Sequence, residues 1–140
     1  MKPTHVIIGV LAITLIQITV LLWLGHPAIC KCEAIKFWDG ALRSTENSQH
    51  LLDWYSFSHF IFGFLLYFTF WIIRKKFNWP KHLATAFLVL VLISASWEIF
   101  ENTRYAIHRF QENTISYEYR GDSVVNALTD TAVMSLGFWL

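Results

Sequence analysis

The sequence is short of charge. Only 15% of its 140 residues are Asp, Glu, Lys or Arg, whereas a soluble domain usually carries about 25%. The net charge of +1 argues against a nucleic-acid-binding protein, which would carry a basic stripe. Two cysteines cannot make a disulfide framework, and no nucleophile elbow, HExxH motif or phosphate-binding glycine loop is present. The missing charge indicates that much of the surface does not face water.

Apolar residues take the place of the missing charges. Hydrophobic residues make up 55% of the chain and aromatic residues 17%, and the mean hydropathy is +0.42. Residues 6–24 contain no charge and are long enough to cross the ~30 Å hydrocarbon core of a bilayer as a helix. Residues 57–73 are also apolar and free of charge, residues 83–100 are apolar but carry Glu98 near their end, and residues 123–140 form a fourth, more polar run. We therefore predict an all-α polytopic membrane protein, with four transmembrane helices in one membrane domain over residues 1–140.

The first and last runs each allow a second interpretation. Residues 6–24 could be a secretory signal, but the run exceeds the usual ~7–15 apolar residues and no small-x-small cleavage site follows, so we predict a retained helix. Residues 123–140 carry Asn126 and Asp130, which a helix shielded by three neighbours can hold on its inner face. The chain stops at Leu140 without a cationic cap, as expected for a piece of a longer protein.

Cations in the short loops predict the orientation. Residues 74–81, which end at Lys81, contain four Lys or Arg residues, and Lys2 precedes the first helix. Acidic residues dilute the cations of the long loop 25–56, and the three arginines of residues 101–122 weaken the bias without reversing it. Because short cytoplasmic loops are rich in Lys and Arg, we predict a cytoplasmic N-terminus in a bacterial inner membrane.

On this topology, unusual polar residues gather at the periplasmic face, where the second and fourth helices begin and the third ends. The candidate ligand-binding residues are His50, His59, Glu98, Glu101, Asn102, Asp122, Asn126 and Asp130. Spacings of three and four residues place the members from each helix on one helical face. An ionisable group in a membrane is costly and normally faces the bundle interior. We therefore expect four of these residues to lie around one cavity between the helices: Glu98, Asn102, Asn126 and Asp130.

Each candidate also has an ordinary structural interpretation. Asp122 after a glycine is a plausible helix N-cap, and Asn126 can join helices by hydrogen bonding. Glu98 and Glu101 can reach the membrane interface, and His59 can be an interfacial histidine. One acidic cluster on the third helix and one on the fourth, together with two histidines on the same membrane face, nevertheless favour a ligand-binding site.

The long loop carries two further predictions. Residues 44–52 are expected to be helical, which would place Glu46 and His50 one turn apart. Cys30 and Cys32 are separated by one residue, and a bridge between them would be strained. Intermolecular pairing, free thiols and a soft-metal site with His26 remain as alternatives.

Six segments resemble a family of small uncharacterised membrane proteins of proteobacteria: PAICKC from Pro27, STENSQH from Ser44, DWY from Asp53, SH from Ser58, WEIFEN from Trp97 and YRGDSVVN from Tyr119. The resemblance covers most of the chain from Pro27 onward. It implies a membrane fold and location but supplies no activity. The family pattern has a second histidine where this chain has Phe62, which counts against a site that needs both. A fainter similarity of the last two runs is to VanZ-like membrane proteins linked to glycopeptide resistance, and it transfers no catalytic residue.

We favour an inner-membrane protein whose periplasmic-face cavity binds a small polar ligand, a divalent metal ion or a lipid head group. One alternative is a non-catalytic subunit or assembly factor of a larger membrane complex, in which the acids only join helices. Another is a membrane-embedded hydrolase or transferase acting on a lipid-linked envelope substrate. There Glu98 or Asp130 would be the general base, and His59 or His50 the acid or a metal ligand.

Overall fold

A computed structural model describes residues 2–77 and 83–140. Those residues form five α-helices: α1 (Pro3–Trp23), α2 (Trp54–Phe77), α3 (Leu83–Glu101), α4 (Arg104–Asn113) and α5 (Val124–Trp139). The prediction of an all-α fold is confirmed. Three segments, Pro3–Trp23, Trp54–Lys76 and Leu83–Glu101, are long and apolar enough to cross a membrane, which indicates a membrane protein.

Local capping explains where α2 begins and ends. The helix starts three residues before the predicted bound because Asp53 and Ser56 cap it reciprocally. Asp53 Oδ1 accepts from the Ser56 amide at 3.2 Å, and Ser56 Oγ accepts from the Asp53 amide at 3.2 Å. Three cations occupy the last turn, where they stabilise the helix by interacting with the negative end of its dipole. The rest of the predicted cationic loop, including Lys81, lies outside the described residues.

The helix predicted over residues 44–52 is wrong. These residues form turns, and residues 24–53 as a whole contain no α-helix. Ser44 Oγ accepts from the Glu46 amide at 3.1 Å, and such local side-chain bonds compete with helix formation. Ser48 has a φ of 58°, which an α-helix does not permit. The turn still brings Glu46 Oε2 within 3.1 Å of His50 Nε2.

Two details near the last helix also differ from the predictions. Helix α4 was not predicted because it is short and mostly polar. Its N-cap is Thr103, whose hydroxyl accepts from the Ala106 amide at 3.3 Å. The suggestion that Asp122 is the N-cap of α5 is wrong, because Ser123 has that role and accepts from the Asn126 amide at 3.2 Å. The Asp122 carboxylate is thereby left for other partners.

Helix α5 packs against α1, α2 and α3, and its pairing with α2 is the most extensive. Two glycines allow this close approach. A Cβ on Gly63 would collide with the Met134 carbonyl group, and a Cβ on Gly137 would collide with the Phe60 carbonyl group. Small residues at helix crossings let backbones of membrane helices come together in this way.

A buried polar joint links α5 to the other side of the bundle. Gln17 of α1 is fully buried and donates to Thr131 Oγ1 at 3.1 Å and to the Ala127 carbonyl group at 3.2 Å. Ser94 of α3 donates to the same Thr131 hydroxyl at 3.3 Å. Three helices therefore satisfy one another's polar side chains away from lipid.

Residues 24–53 cover one end of the bundle, which we call the loop-covered end. Here α1 and α3 end while α2 and α5 begin. The Val124 and Val125 amides of α5 donate to the carbonyl groups of Pro27 and Ala28 at 2.9 and 3.1 Å. The Ser123 amide donates to the Ser48 carbonyl group at 3.0 Å. The loop therefore supplies acceptors for the otherwise unsatisfied first amides of the last helix.

Candidate functional site

His59, Glu98 and Asp130 meet inside the bundle near the loop-covered end. They come from α2, α3 and α5, and they are 4%, 0% and 3% exposed. His59 Nδ1 lies 3.3 Å from Glu98 Oε1, and His59 Nε2 lies 3.9 Å from Asp130 Oδ2. One possible ligand atom from each of the three side chains lies within 4.8 Å of the others. We call these three residues the His59 cluster.

Several polar atoms of the cluster lack a partner. Among the described residues, His59 Nδ1 and both carboxylate oxygens of Glu98 are buried without a hydrogen bond. The 3.3 Å approach of His59 to Glu98 therefore brings the atoms together without a well-directed hydrogen bond. Buried polar atoms are almost always paired, and an unpaired one costs about 1–3 kcal/mol. Unpaired atoms converging on one point are what a cation site requires.

A serine supports one acid of the cluster. Ser56 Oγ donates to Asp130 Oδ1 at 2.7 Å while accepting from the Asp53 amide. Asp53 itself has partners on both oxygens: Oδ2 accepts from Ser48 Oγ at 2.8 Å, and Oδ1 accepts from the Tyr55 and Ser56 amides. Burial raises the pKa of Asp53 above its ordinary value, although these hydrogen bonds act in the other direction. Asp53 is therefore a capping residue with its bonds complete.

Asn102 and Asp122 form a second polar group beside the His59 cluster, and Asn102 Nδ2 also donates to the Glu98 carbonyl group at 2.8 Å. Asn102 Nδ2 donates to Asp122 Oδ2 at 2.6 Å, and the Asp122 amide donates to Asn102 Oδ1 at 2.6 Å. The Tyr119 hydroxyl donates to Asp122 Oδ1 at 2.9 Å. Burial raises the pKa of Asp122 to about 7, and nearby Asp53 adds to the rise, whereas the bonds from Asn102 and Tyr119 oppose it. This pairing fixes the end of α3 against the start of α5.

The remaining candidates have other surroundings. Asn126 Nδ2 donates to the His50 carbonyl group at 2.7 Å, and its Oδ1 is buried without a partner among the described residues. The His50 ring faces Glu46 and the Lys36 amide. Glu101 lines a different cavity, with Trp97 and other residues of α3 and α4. The sequence patterns thus placed eight residues on one side of the molecule, but the structure divides them among several neighbourhoods.

Cys30 and Cys32 form a disulfide bond, the pairing that the sequence argument disfavoured. A disulfide offers no thiolate to a metal, so the predicted metal site with these cysteines and His26 stays a prediction for the reduced protein. His26 Nε2 lies 2.8 Å from the Asn102 carbonyl oxygen. The side chains grouped with the two cysteines are Glu46 and His50, with candidate atoms within 4.8 Å of one another.

Sequence reasoning missed Ser56 and Gln17. Ser56 precedes His59 by three residues, a spacing that puts both on one face of α2. Gln17 is the one amide side chain inside the first apolar run, and that isolation was an available signal. A serine in a helical first turn, in contrast, has no feature that separates it from ordinary capping.

Comparisons with known proteins agree on the family. Residues 21–140 match the profile of a family described as "Protein of unknown function (DUF2585)". A UPF0314 protein of Brucella anthropi is 46% identical over 129 residues, which cover 92% of this chain and 63% of that protein. A UPF0314 protein of Paracoccus denitrificans is 43% identical over 122 residues, which cover 86% of this chain and 60% of that protein. This chain therefore spans less than two thirds of the length of these relatives, and no solved structure matches it.

Proposed function

The chain belongs to the DUF2585 family, an uncharacterised family of proteobacterial proteins, and we propose that it binds a divalent metal ion through the His59 cluster. The observation that carries this proposal is the convergence of unpaired, buried donor atoms. A ligand atom from each of His59, Glu98 and Asp130 lies within 4.8 Å of the other two, and three polar atoms of the cluster have no partner among the described residues.

Charge favours a divalent ion. If both carboxylates are ionised and the imidazole is neutral, the cluster carries a charge of minus two, and burial of that charge is costly unless a cation balances it or protons neutralise the acids. A divalent ion balances it fully and also occupies the unpaired atoms of His59 and Glu98. One imidazole with two carboxylates suits a borderline metal such as zinc or ferrous iron, or the harder manganese ion, better than a soft ion that prefers thiolates.

The surroundings resemble the outer shell of a metal site. Ligating carboxylates are usually held by hydrogen bonds from neighbouring side chains, and these neighbours orient the ligand. Ser56 does this for Asp130, since its hydroxyl donates to Oδ1 at 2.7 Å and leaves Oδ2 directed towards the ring of His59. Ser56 therefore connects the N-terminal cap of α2 to Asp130, the proposed metal ligand on α5.

We further propose four spans in a bacterial inner membrane, with the loop-covered end on the periplasmic side. Helix α5 has 16 residues, or about 24 Å at the usual rise, which is shorter than the ~30 Å hydrocarbon core. The proposal of a fourth span rests on its packing against α1, α2 and α3 and on the burial of Asn126, Asp130 and Thr131. Two observations support the orientation. Three cations occupy the last turn of α2, and cations at a helix end favour the cytoplasmic side. The disulfide between Cys30 and Cys32 lies at the opposite end of the bundle, and the oxidising periplasm would preserve it there.

The test is a measurement of metal bound per chain. The full chain is purified in detergent, equilibrated with buffered zinc, manganese or ferrous ions, desalted and analysed by elemental mass spectrometry. We expect one ion per wild-type chain for at least one metal. Asp130→Asn and Glu98→Gln should each weaken retention at least about tenfold, because each removes a charged ligand.

Asp53→Asn is the matched control. Asp53 is as deeply buried as Asp130, but its oxygens are already hydrogen-bonded within the protein. This variant should keep the ion. Asp130→Asn should express well and melt at the temperature of the metal-free wild type or higher, since the amide needs no counter-charge. A wild type that retains none of the three metals, or an Asp53→Asn variant that loses as much as Asp130→Asn, would contradict the proposal and favour a structural subunit.

A further inference from the structure

A second cavity, with a volume of about 720 Å³, lies beside the loop-covered end. Its wall includes Trp23 and Gly25 at the end of α1, Arg104 and Ile107 of α4, and Arg120 before α5. The members of the His59 cluster do not line it. The disulfide between Cys30 and Cys32 forms another part of the wall. Lys31, which lies between the two cysteines, also lines the cavity.

The charge around this cavity is one-sided. Lys31, Arg104 and Arg120 are exposed, and none of them forms an ion pair within the part of the chain that the structure describes. The acid among the described lining residues is Glu46, whose Oε2 already lies 2.6 Å from Lys36 Nζ and 3.1 Å from His50 Nε2. Three uncompensated cations therefore surround one concave surface in a chain with a net charge of only +1.

The size and position of the cavity limit the size and chemical class of the ligand that it can hold. Small-molecule sites usually measure about 300–1,000 Å³, so this one holds more than a simple inorganic anion. Trp23 is 82% exposed at the end of a helix that is apolar enough to cross a membrane. Tryptophan at such a helix end is typical of the head-group region of a bilayer. The cavity thus joins a cationic part to an apolar border.

We propose that this cavity binds a phosphate-bearing ligand through Lys31, Arg104 and Arg120. Guanidinium groups bind phosphate oxygens in bidentate pairs, and lysine adds a mobile point charge. The ligand could reach the cavity as the head group of a phospholipid or as a soluble phosphate ester, since both present the same chemistry. This inference does not rest on the proposed metal site, which uses none of these residues.

The experiment titrates the full chain in detergent with two probes and follows binding by native mass spectrometry. Phosphatidylglycerol represents the lipid source, with diacylglycerol as its phosphate-free control, and glycerol 3-phosphate represents the soluble source. We expect phosphatidylglycerol or glycerol 3-phosphate to bind, and Arg104→Gln and Arg120→Gln to weaken that binding about tenfold each. Arg43→Gln should leave it unchanged, because Arg43 is an exposed cation that does not line the cavity.

Every outcome decides the proposal. Binding of the lipid alone assigns a bilayer ligand, and binding of the ester assigns a soluble one. Phosphatidylglycerol that binds no better than diacylglycerol, with glycerol 3-phosphate unbound, would overturn the inference. Equal effects of Arg104→Gln and Arg43→Gln would also overturn it. Thermal unfolding verifies the fold of each variant, and weakening of wild-type binding by added salt is an expected result that needs no substitution. Asp130→Asn should not change the binding, which separates this test from that of the metal site.

Discussion

The substitution Gly63→Ala tests the close approach of α2 and α5. The added Cβ would collide with the Met134 carbonyl group, which is backbone and cannot rotate away. The two helices must therefore separate. Overpacking of this kind costs about 1–3 kcal/mol, whereas alanine gains about 0.5–1 kcal/mol over glycine within a helix. The midpoints of these two ranges leave a net loss of about 1 kcal/mol in the free energy of unfolding.

Unfolding of the purified protein in mixed micelles, followed by circular dichroism, measures this loss. Gly9→Ala is the matched control, because Gly9 lies within α1 and its Cβ would meet only the flexible end of the Leu88 side chain at 2.9 Å. That variant should be as stable as the wild type or slightly more stable. If Gly63→Ala behaves like Gly9→Ala, the close contact between the backbones of α2 and α5 does not exist.

Three further predictions concern the site and its orientation. Ser56→Ala should weaken metal retention about 10–100-fold by releasing Asp130, whereas Ser58→Ala, which removes only a bond to a carbonyl group of its own helix, should not. Because burial raises the pKa of Asp122 to about 7, the folded state binds a proton that the unfolded state releases near pH 4. The stability contributed by this group is therefore complete below pH 4 and is lost as the pH rises to about 7. Calorimetric scans at several pH values measure this loss. The stability of Asp122→Asn should fall less between about pH 4 and 7 than the stability of the wild type, and an equal fall would contradict the assignment. A reporter fused after Asn78 should be cytoplasmic and one fused after Gly40 periplasmic, and the reverse pattern would refute the proposed orientation.

The sequence was most informative about the helices and their charged residues. Long apolar runs locate α1, α2 and α3 because transfer to lipid depends on composition. His59, Glu98 and Asp130 stand out because ionisable residues are rare in such runs. Their meeting was expected because antiparallel packing brings the corresponding helix ends to one side of a membrane.

The loop shows where that reasoning stops. Residues 24–53 have no hydrophobic periodicity, and their conformation depends on partners far along the chain, such as Gly121, whose carbonyl group accepts from Gln49. Local spacing could not reveal such bonds, so the helix expected over residues 44–52 was wrong. It also could not show that Asn126 would donate to the His50 carbonyl group.

The acceptors that residues 24–53 offer to α5 impose an order in time. The carbonyl groups of Pro27, Ala28 and Ser48 leave the ribosome long before the amides of residues 123–125, from which they accept hydrogen bonds. During synthesis these three carbonyl groups therefore lack their α5 partners until the amides of residues 123–125 have been made. A segment with such unpaired groups is open to proteases and to chaperones. A chain interrupted before α5 would keep three apolar helices yet expose this loop, and quality control could recognise unfinished protein by that exposure.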